Sequence, residues 1–168
     1  MPAIQTGANA KFYIATTKGT VPANKAAYDA LTWVECEQTN ALGALGDTTA
    51  EVTFVGLGDA RVQKLKGSSN AGNLDLTMAF NNLGGIDGSP TSGQYLLLVA
   101  SNDTSNDNYR FKRVLGDRTT NSPLGVGTTE YCSGQVGSWV ITVDGADNIV
   151  MLTSQVRVNS AIIRSTST

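Results

Sequence analysis

The chain has 168 residues, a formal net charge of −2, and 15% charged residues against 40% apolar ones, which is enough material for one hydrophobic core without staples and too apolar for a disordered chain. Its twelve Lys and Arg are scattered rather than blocked, which argues against a dedicated nucleic-acid-binding face. It contains no histidine, which removes Ser-His-Asp and Cys-His arrangements, the usual neutral-pH base and most zinc sites.

The N-terminus, MPAIQTGANAK, lacks the apolar core of a signal peptide, and no apolar run reaches membrane-spanning length. The expectation is a soluble single domain over 1–168, made in the cytoplasm and not inserted in a membrane. Eighteen glycines, four prolines and frequent Gly/Asn/Asp turns point to a mainly β fold. Lys11–Thr16 reads as the first strand, with a turn at Gly19. Leu31–Glu37 reads as the second, placing Val34 and Cys36 on one face and Trp33, Glu35 and Glu37 on the other.

A glycine-punctuated stretch from Leu42 to about Lys66 has no helical period, and only two short apolar runs, Val52–Val55 and Val62–Leu65, interrupt it. It reads as a long, mostly irregular arm, uncommon inside a compact domain and most economically explained as reaching a neighbouring subunit. Asn73–Asn81 then alternates cleanly, the mark of a half-buried strand. The turn-rich Gly84–Gly93 leads into Gly93–Ser101, which reads as one short helix with Tyr95, Leu98 and Val99 on its apolar face and Ser92 or Thr91 as its cap.

Tyr109–Leu115 alternates an aromatic face with a basic one; solvated lysines and arginines or inter-subunit ion pairs are the expectation for Arg110, Lys112, Arg113 and Arg118. Glu130–Val143 reads as one or two strands interrupted at Gly134 and Gly137. Asp144–Asn148 is a turn, Ile149–Ile163 a long strand, and 165–168 a frayed tail. Trp33 and Trp139 are expected in the core.

Chemistry is sparse. Cys36 and Cys132 fit no metal spacing and read as small buried hydrophobes rather than a disulfide. Asp103–Asn108 lacks the glycine and terminal glutamate of a calcium loop, and Arg61 stands where a dinucleotide fingerprint after Gly56 and Gly58 needs a third glycine. No catalytic residue, metal or cofactor is expected, and an enzyme is the last reading to choose.

The order KFYIAT, TWVECEQT, ALGALGDTTAEVTFVGLGDARVQKLKG, NAGNLDLTMAF, GQYLLLVAS, YRFKRVL, YCSGQVGSWVI and IVMLTSQVRV resembles the major tail tube protein of long, non-contractile-tailed bacteriophages. The resemblance spans Lys11 to about Ile163 and is most specific from LGALGD through KLKG to GNLDLTM; the chain is too short to hold the immunoglobulin-like domain that some members append. It implies a β-sandwich or open barrel with a flanking helix, and six copies per ring sharing strands in a continuous barrel. Stacked rings would form a hollow tail tube that conducts genomic DNA in the virion, assembled in the host cytoplasm. Partners would be further copies, the tape-measure protein, tail-tip and terminator proteins, and double-stranded DNA in transit. On this resemblance Leu45, Val52, Phe54, Val55, Leu57, Arg61 and Lys64 are expected at inter-subunit contacts, the plain alternative being a loop folded over its own core. A channel that releases DNA needs a neutral or acidic wall, since a basic one would hold phosphates. Glu35, Glu37, Asp75 and Thr77 are therefore expected to face the bore; otherwise Asp75 is simply the outward side of an amphipathic strand. A carbohydrate- or host-surface-binding sandwich and a secretion-tube homologue remain as alternatives.

Overall fold

The computed structural model describes residues 8–58, 60–81, 91–117 and 127–166. Most of the predicted Gly84–Gly93 connection, together with Asp59, Asp87, Arg118 and the last two residues of the predicted tail, lies outside them. In chain order the elements are β1 (Lys11–Ala15), α1 (Lys25–Asp29), β2 (Trp33–Glu35), β3 (Thr39–Leu42), β4 (Thr48–Phe54), β5 (Gln63–Asn70), β6 (Asn73–Ala79), α2 (Gly93–Asn102), β7 (Tyr109–Val114), β8 (Thr129–Thr142), β9 (Met151–Val158) and β10 (Ile163–Ser165). The protein is mainly β, as expected. Among the described residues two helices rather than one flank its sheets.

The main sheet is antiparallel throughout, in the order β2-β1-β7-β8-β9-β6-β3, with β10 on β8. The strands at its two ends, β2 and β3, are consecutive in sequence. Cys36 N donates to Phe12 O at 2.8 Å and Ala79 N to Gln38 O at 3.0 Å, so the short Cys36–Gln38 joint is held by both flanks of the sheet. Gln38 makes the bend at φ 58°, a left-handed conformation unusual for a side-chain-bearing residue. The sheet is thereby an open barrel whose ends are joined by the chain itself.

Alternation decides which side is core. On β6, Leu74, Leu76 and Met78 are buried, and on β9 so are Leu152 and Val156. They join Phe12, Ile14, Phe111, Cys132 and Val136 in one cluster, with the Phe12 and Phe111 rings stacked at 5.8 Å. β8 is a single strand of 14 residues rather than two. It runs straight through Gly134, where a Cβ would lie 2.0 Å from the Arg157 carbonyl oxygen, and absorbs a bulge between Val136 and Ser138. The predicted long strand at 149–163 is instead β9 followed by β10, and Ser165 of the predicted tail is paired with Thr129.

α2 occupies the predicted span, but its buried face is Gln94, Leu97 and Ala100, whereas Val99 is exposed. Gln94 is inside because it is fully bonded: its Nε2 donates to Glu37 O and Ala79 O at 3.1 and 2.9 Å, and its Oε1 accepts from Asn81 N at 3.0 Å. Ser92 sits at the N-cap without a side-chain bond. At Gly93 a Cβ would stand 2.5 Å from Glu35 O, so only glycine lets the helix seat against the β2–β3 joint. Trp139 donates to Gln94 O at 3.2 Å and meets Phe80 edge-on, and Trp33 donates to Tyr28 O at 3.1 Å.

α1 packs on the outer face of β8, where Tyr131 Oη donates to Asp29 Oδ1 at 2.5 Å. Asn24 caps it by accepting from Ala27 N at 3.0 Å. Tyr28 is fully buried, stacks on Tyr131 at 5.2 Å and shares a 2.7 Å hydrogen bond with Ser133 Oγ.

Candidate assembly surface

The predicted irregular arm is a β-hairpin. β4 and β5 pair antiparallel from Thr48↔Asn70 to Phe54↔Gln63 as a two-stranded sheet of their own, with a register shift between Thr49 and Glu51. Threonine, valine and phenylalanine on β4 favour extended backbone. The expected irregularity fails for a physical reason: nearly every residue of both strands is exposed, so no buried-against-exposed phase marks them. The two strands pack almost wholly on each other.

The sites predicted in this arm separate into two groups. Leu45 is buried in the chain's own core cluster, so its side chain is not on offer to a neighbour. Val52, Phe54, Val55 and Leu57 are all exposed large apolar side chains, joined by Val62 and Leu65, with Phe54 at 59% of full exposure. Lys64 pairs with Glu51 at 3.1 Å across the hairpin, and Arg61 is exposed. A free two-stranded hairpin is marginal in water. Burying half of each of these side chains against a partner would contribute roughly 1 kcal/mol apiece.

The root of the hairpin is held by charge. Glu130, buried, is the cross-strand partner of both Arg113 on β7 and Arg164 on β10. Arg113 Nε donates to Glu130 Oε2 at 2.7 Å and Arg164 Nε to Oε1 at 2.8 Å. The same two guanidiniums donate to the arm's backbone, Arg113 to Gly43 O at 2.8 Å and Arg164 to Leu45 O at 3.3 Å. Gly43 N donates to Asp75 O at 2.7 Å.

The predicted solvated basic face of β7 is corrected in the same way. Arg110 is buried and donates to Thr17 O and Thr20 O at 2.7 and 2.8 Å. Lys112 Nζ lies over the rings of Tyr13 and Trp33 at 4.7 and 5.4 Å, and its half-buried ammonium is depressed below the usual lysine range by desolvation. These cations are used up inside the fold.

The predicted bore-facing residues do not share one surface. Asp75 and Thr77 lie together on the outer side of β6, and Gln155 Nε2 of β9 donates to Asp75 Oδ1 at 2.9 Å. Next to them stand Thr153, Gln155 and Arg157 of β9 and Ser138 and the exposed Val140 of β8, a mixed face that pairs one acid with one base. Glu35 is on β2, bound to Lys11 at 2.9 Å. Glu37 sits in the β2–β3 joint and accepts from Asn81 Nδ2 at 3.3 Å.

Both cysteines are free and buried; burial pushes the Cys132 thiol up to about 12 and raises the Cys36 thiol further. Asp103 in the α2–β7 connection accepts from Lys18 at 2.6 Å, from Ser105 N at 2.9 Å and from Tyr109 Oη at 2.8 Å. Among the described residues no cluster of three or more Cys, Asp or Glu could hold a metal ion, and no helix is long and apolar enough to cross a membrane.

The sequence matches no family model and no curated protein. The fold does have solved counterparts. A chain in the 6-fold symmetrised baseplate of the anti-feeding prophage superposes with a TM-score of 0.63 at 13% identity, over 99% of this chain and 98% of that one. A chain in the sheath/tube terminator of the PVC extracellular contractile injection system, in its extended state, gives 0.61 at 10% identity over 98% and 99%. One in the sheath–tube complex of the same system gives 0.58 at 12% over 93% and 88%. The chain therefore shares, nearly end to end, a fold found in phage-tail-like particles; these counterparts come from contractile systems.

Proposed function

We propose that this chain is a structural, non-enzymatic subunit of a phage tail or phage-tail-like particle, one tube-forming domain that assembles into stacked rings around a hollow bore. The observation that carries this reading is the β4–β5 hairpin, which presents Val52, Phe54, Val55 and Leu57 to solvent while its root is anchored by Arg113, Glu130 and Arg164. A rigidly rooted apolar hairpin that buries nothing in its own chain is built to bury something in another. A contact between unlike surfaces makes a ring when its rotation closes and an open stack when it does not. The likeness to chains of contractile injection particles supports the same role.

On this reading six copies form each ring, and the partners are further copies, a tape-measure protein, tip and terminator proteins, and DNA passing down the bore of a virion tail assembled in the host cytoplasm. Asp75 and Thr77 on the outer face of β6 are the residues of choice for the bore; Glu35 on β2 and Glu37 in the β2–β3 joint lie away from that face. A second reading, favoured by all three structural likenesses, is the tube of a contractile injection particle rather than of a non-contractile tail.

Electron microscopy of the concentrated protein tests the proposal. Wild type forms hollow tubes of uniform width or six-fold rings. A variant in which Asn-Gly replaces residues 49–69, joining the Thr48–Asn70 pair by a two-residue turn, remains folded and forms neither. Tubes from that variant would overturn the role of the hairpin.

A further inference from the structure

Between the α2–β7 connection and the strands β8 and β9 lies a cavity of about 280 Å³. Cavities for drug-sized ligands run from roughly 300 to 1,000 Å³, so this one suits a single small ring. Residues 103–107 wall it on one side, and Gln135, Gly137 and Arg157 on the other. Val136, which also borders it, is buried in the core cluster, so little apolar surface is left to hold a hydrocarbon.

The loop side is fixed in place. Asp103 accepts from Lys18 Nζ at 2.6 Å, Ser105 N at 2.9 Å and Tyr109 Oη at 2.8 Å, which engages both of its carboxylate oxygens. Asp107 uses only Oδ2, 3.5 Å from Lys18 Nζ and 3.4 Å from Ser105 Oγ, and its Oδ1 is open. On the sheet side Gly137 is the extra residue of the β8 bulge, and the Arg157 side chain lies across it. A Cβ at Gly137 would stand 2.8 Å from Arg157 Nε. The side chains of Thr104, Asn106, Gln135 and Arg157 make no hydrogen bond or ion pair among the described residues.

The balance of charge selects what fits. Lys18 offsets Asp103, and Asp107 and Arg157 offset each other, so no net charge attracts an ion of either sign. A metal ion or an amine would meet Arg157, and a phosphate or a carboxylate would meet Asp107. A hydroxyl satisfies both, since its hydrogen goes to a carboxylate or amide oxygen while its oxygen accepts from a guanidinium or an amide.

We propose that this cavity binds one neutral sugar ring, Asp107 and Arg157 taking adjacent hydroxyls and Asn106 and Gln135 completing the set. The cavity is complete within one chain and uses no part of the hairpin.

Saturation-transfer NMR, which reads the sugar and serves for the free chain and for assembled protein alike, tests this with glucose, galactose and mannose. At least one is expected to give a saturable signal with a Kd of about 1–10 mM. Arg157→Ala weakens binding about tenfold and Asn106→Ala about fivefold. Gly137→Ala, which pushes the guanidinium off its seat, weakens it about threefold. Circular dichroism confirms that all three variants fold. Calcium chloride or sodium phosphate, equimolar with the sugar, leaves the signal unchanged. Loss of the signal to either salt would make this an ion site and overturn the proposal. So would a lack of saturation with all three sugars, or a signal that survives both Arg157→Ala and Asn106→Ala.

Discussion

Arg164 and Glu130 face each other across the β10–β8 pairing with a 2.8 Å hydrogen bond, and through it the end of the chain helps to hold the base of the hairpin. Glu130 also holds Arg113, whose guanidinium is mostly buried. The two arginines differ in their exposure, so removing the acid and removing one base have unequal consequences.

Glu130→Gln leaves a buried Arg113 without its counter-charge and is expected to cost about 3 kcal/mol of folding stability. Arg164→Ala, which removes a half-exposed partner, costs about 1 kcal/mol. Urea unfolding of both variants gives the ratio. Hydrogen exchange at Thr48–Asn70 is faster in both than in wild type, because the root of the hairpin is loosened.

Gly134→Ala places a methyl group 2.0 Å from the Arg157 carbonyl, and backbone cannot give way as a side chain would. The β8–β9 ladder must shift, at a cost of about 2 kcal/mol or more by the usual scale of overpacking. Thermal unfolding measures it; a change below about 0.5 kcal/mol would mean that the strands separate there more easily than their register implies.

Cys36 and Cys132 are expected to be silent toward a thiol reagent at pH 8 in the native protein. Both are buried, and the Cys132 thiol is pushed up to about 12, so the reactive thiolate is scarce as well as shielded. Both react at once in denaturant. A stoichiometric native reaction would contradict their burial.

Asp103 is held below the ordinary carboxylate value of 3.8, chiefly by its hydrogen bond with Lys18 and then by Ser105 N and Tyr109. A group whose folded pKa is depressed contributes stability above its unfolded pKa and loses it as pH falls through the folded one. The stability difference between wild type and Asp103→Asn is therefore flat from about pH 5 to neutrality and shrinks progressively below pH 3.8. Denaturant titrations across that window check it.

Asp75→Lys adds a cation to the polar face of β6 proposed to line the bore, a face where Asp75 is bonded only by Gln155 in the side-chain contacts described. Assembly is expected to survive, while particles carrying the change release DNA more slowly, with the delay relieved by salt. Normal release at low salt would remove β6 from the wall of the bore.

What could be read before the structure follows a pattern. β6 and β9 were legible because one face is core and the other solvent, so Leu74, Leu76 and Met78 stand out against Asn73, Asp75 and Thr77. The hairpin was not, since exposure on every side erases that contrast; its propensity for extended structure was the surviving signal. α1 is only five residues, although Asn24 before it is a recognisable cap. The helix α2 was placed correctly but turned to the wrong face, because Gln94 is buried by its hydrogen bonds and apolar periodicity is blind to that. The basic residues of β7 misled for a related reason: what holds the Arg110 guanidinium inside is a pair of backbone carbonyls distant in sequence, bound by its two Nη atoms.

The joint at Cys36–Gln38 has a mechanical meaning. Because β2 and β3 share one piece of chain, the two margins of the sheet cannot move farther apart than that tether allows, roughly 14 Å between Glu35 and Thr39 when fully drawn out. Load applied around the barrel is carried at this seam by covalent bonds, and elsewhere by ladders of hydrogen bonds shared over many residues. A single cut between the exposed Glu37 and Gln38 would free β2 and β3, already the two end strands of the sheet, to part and offer their edges to other chains.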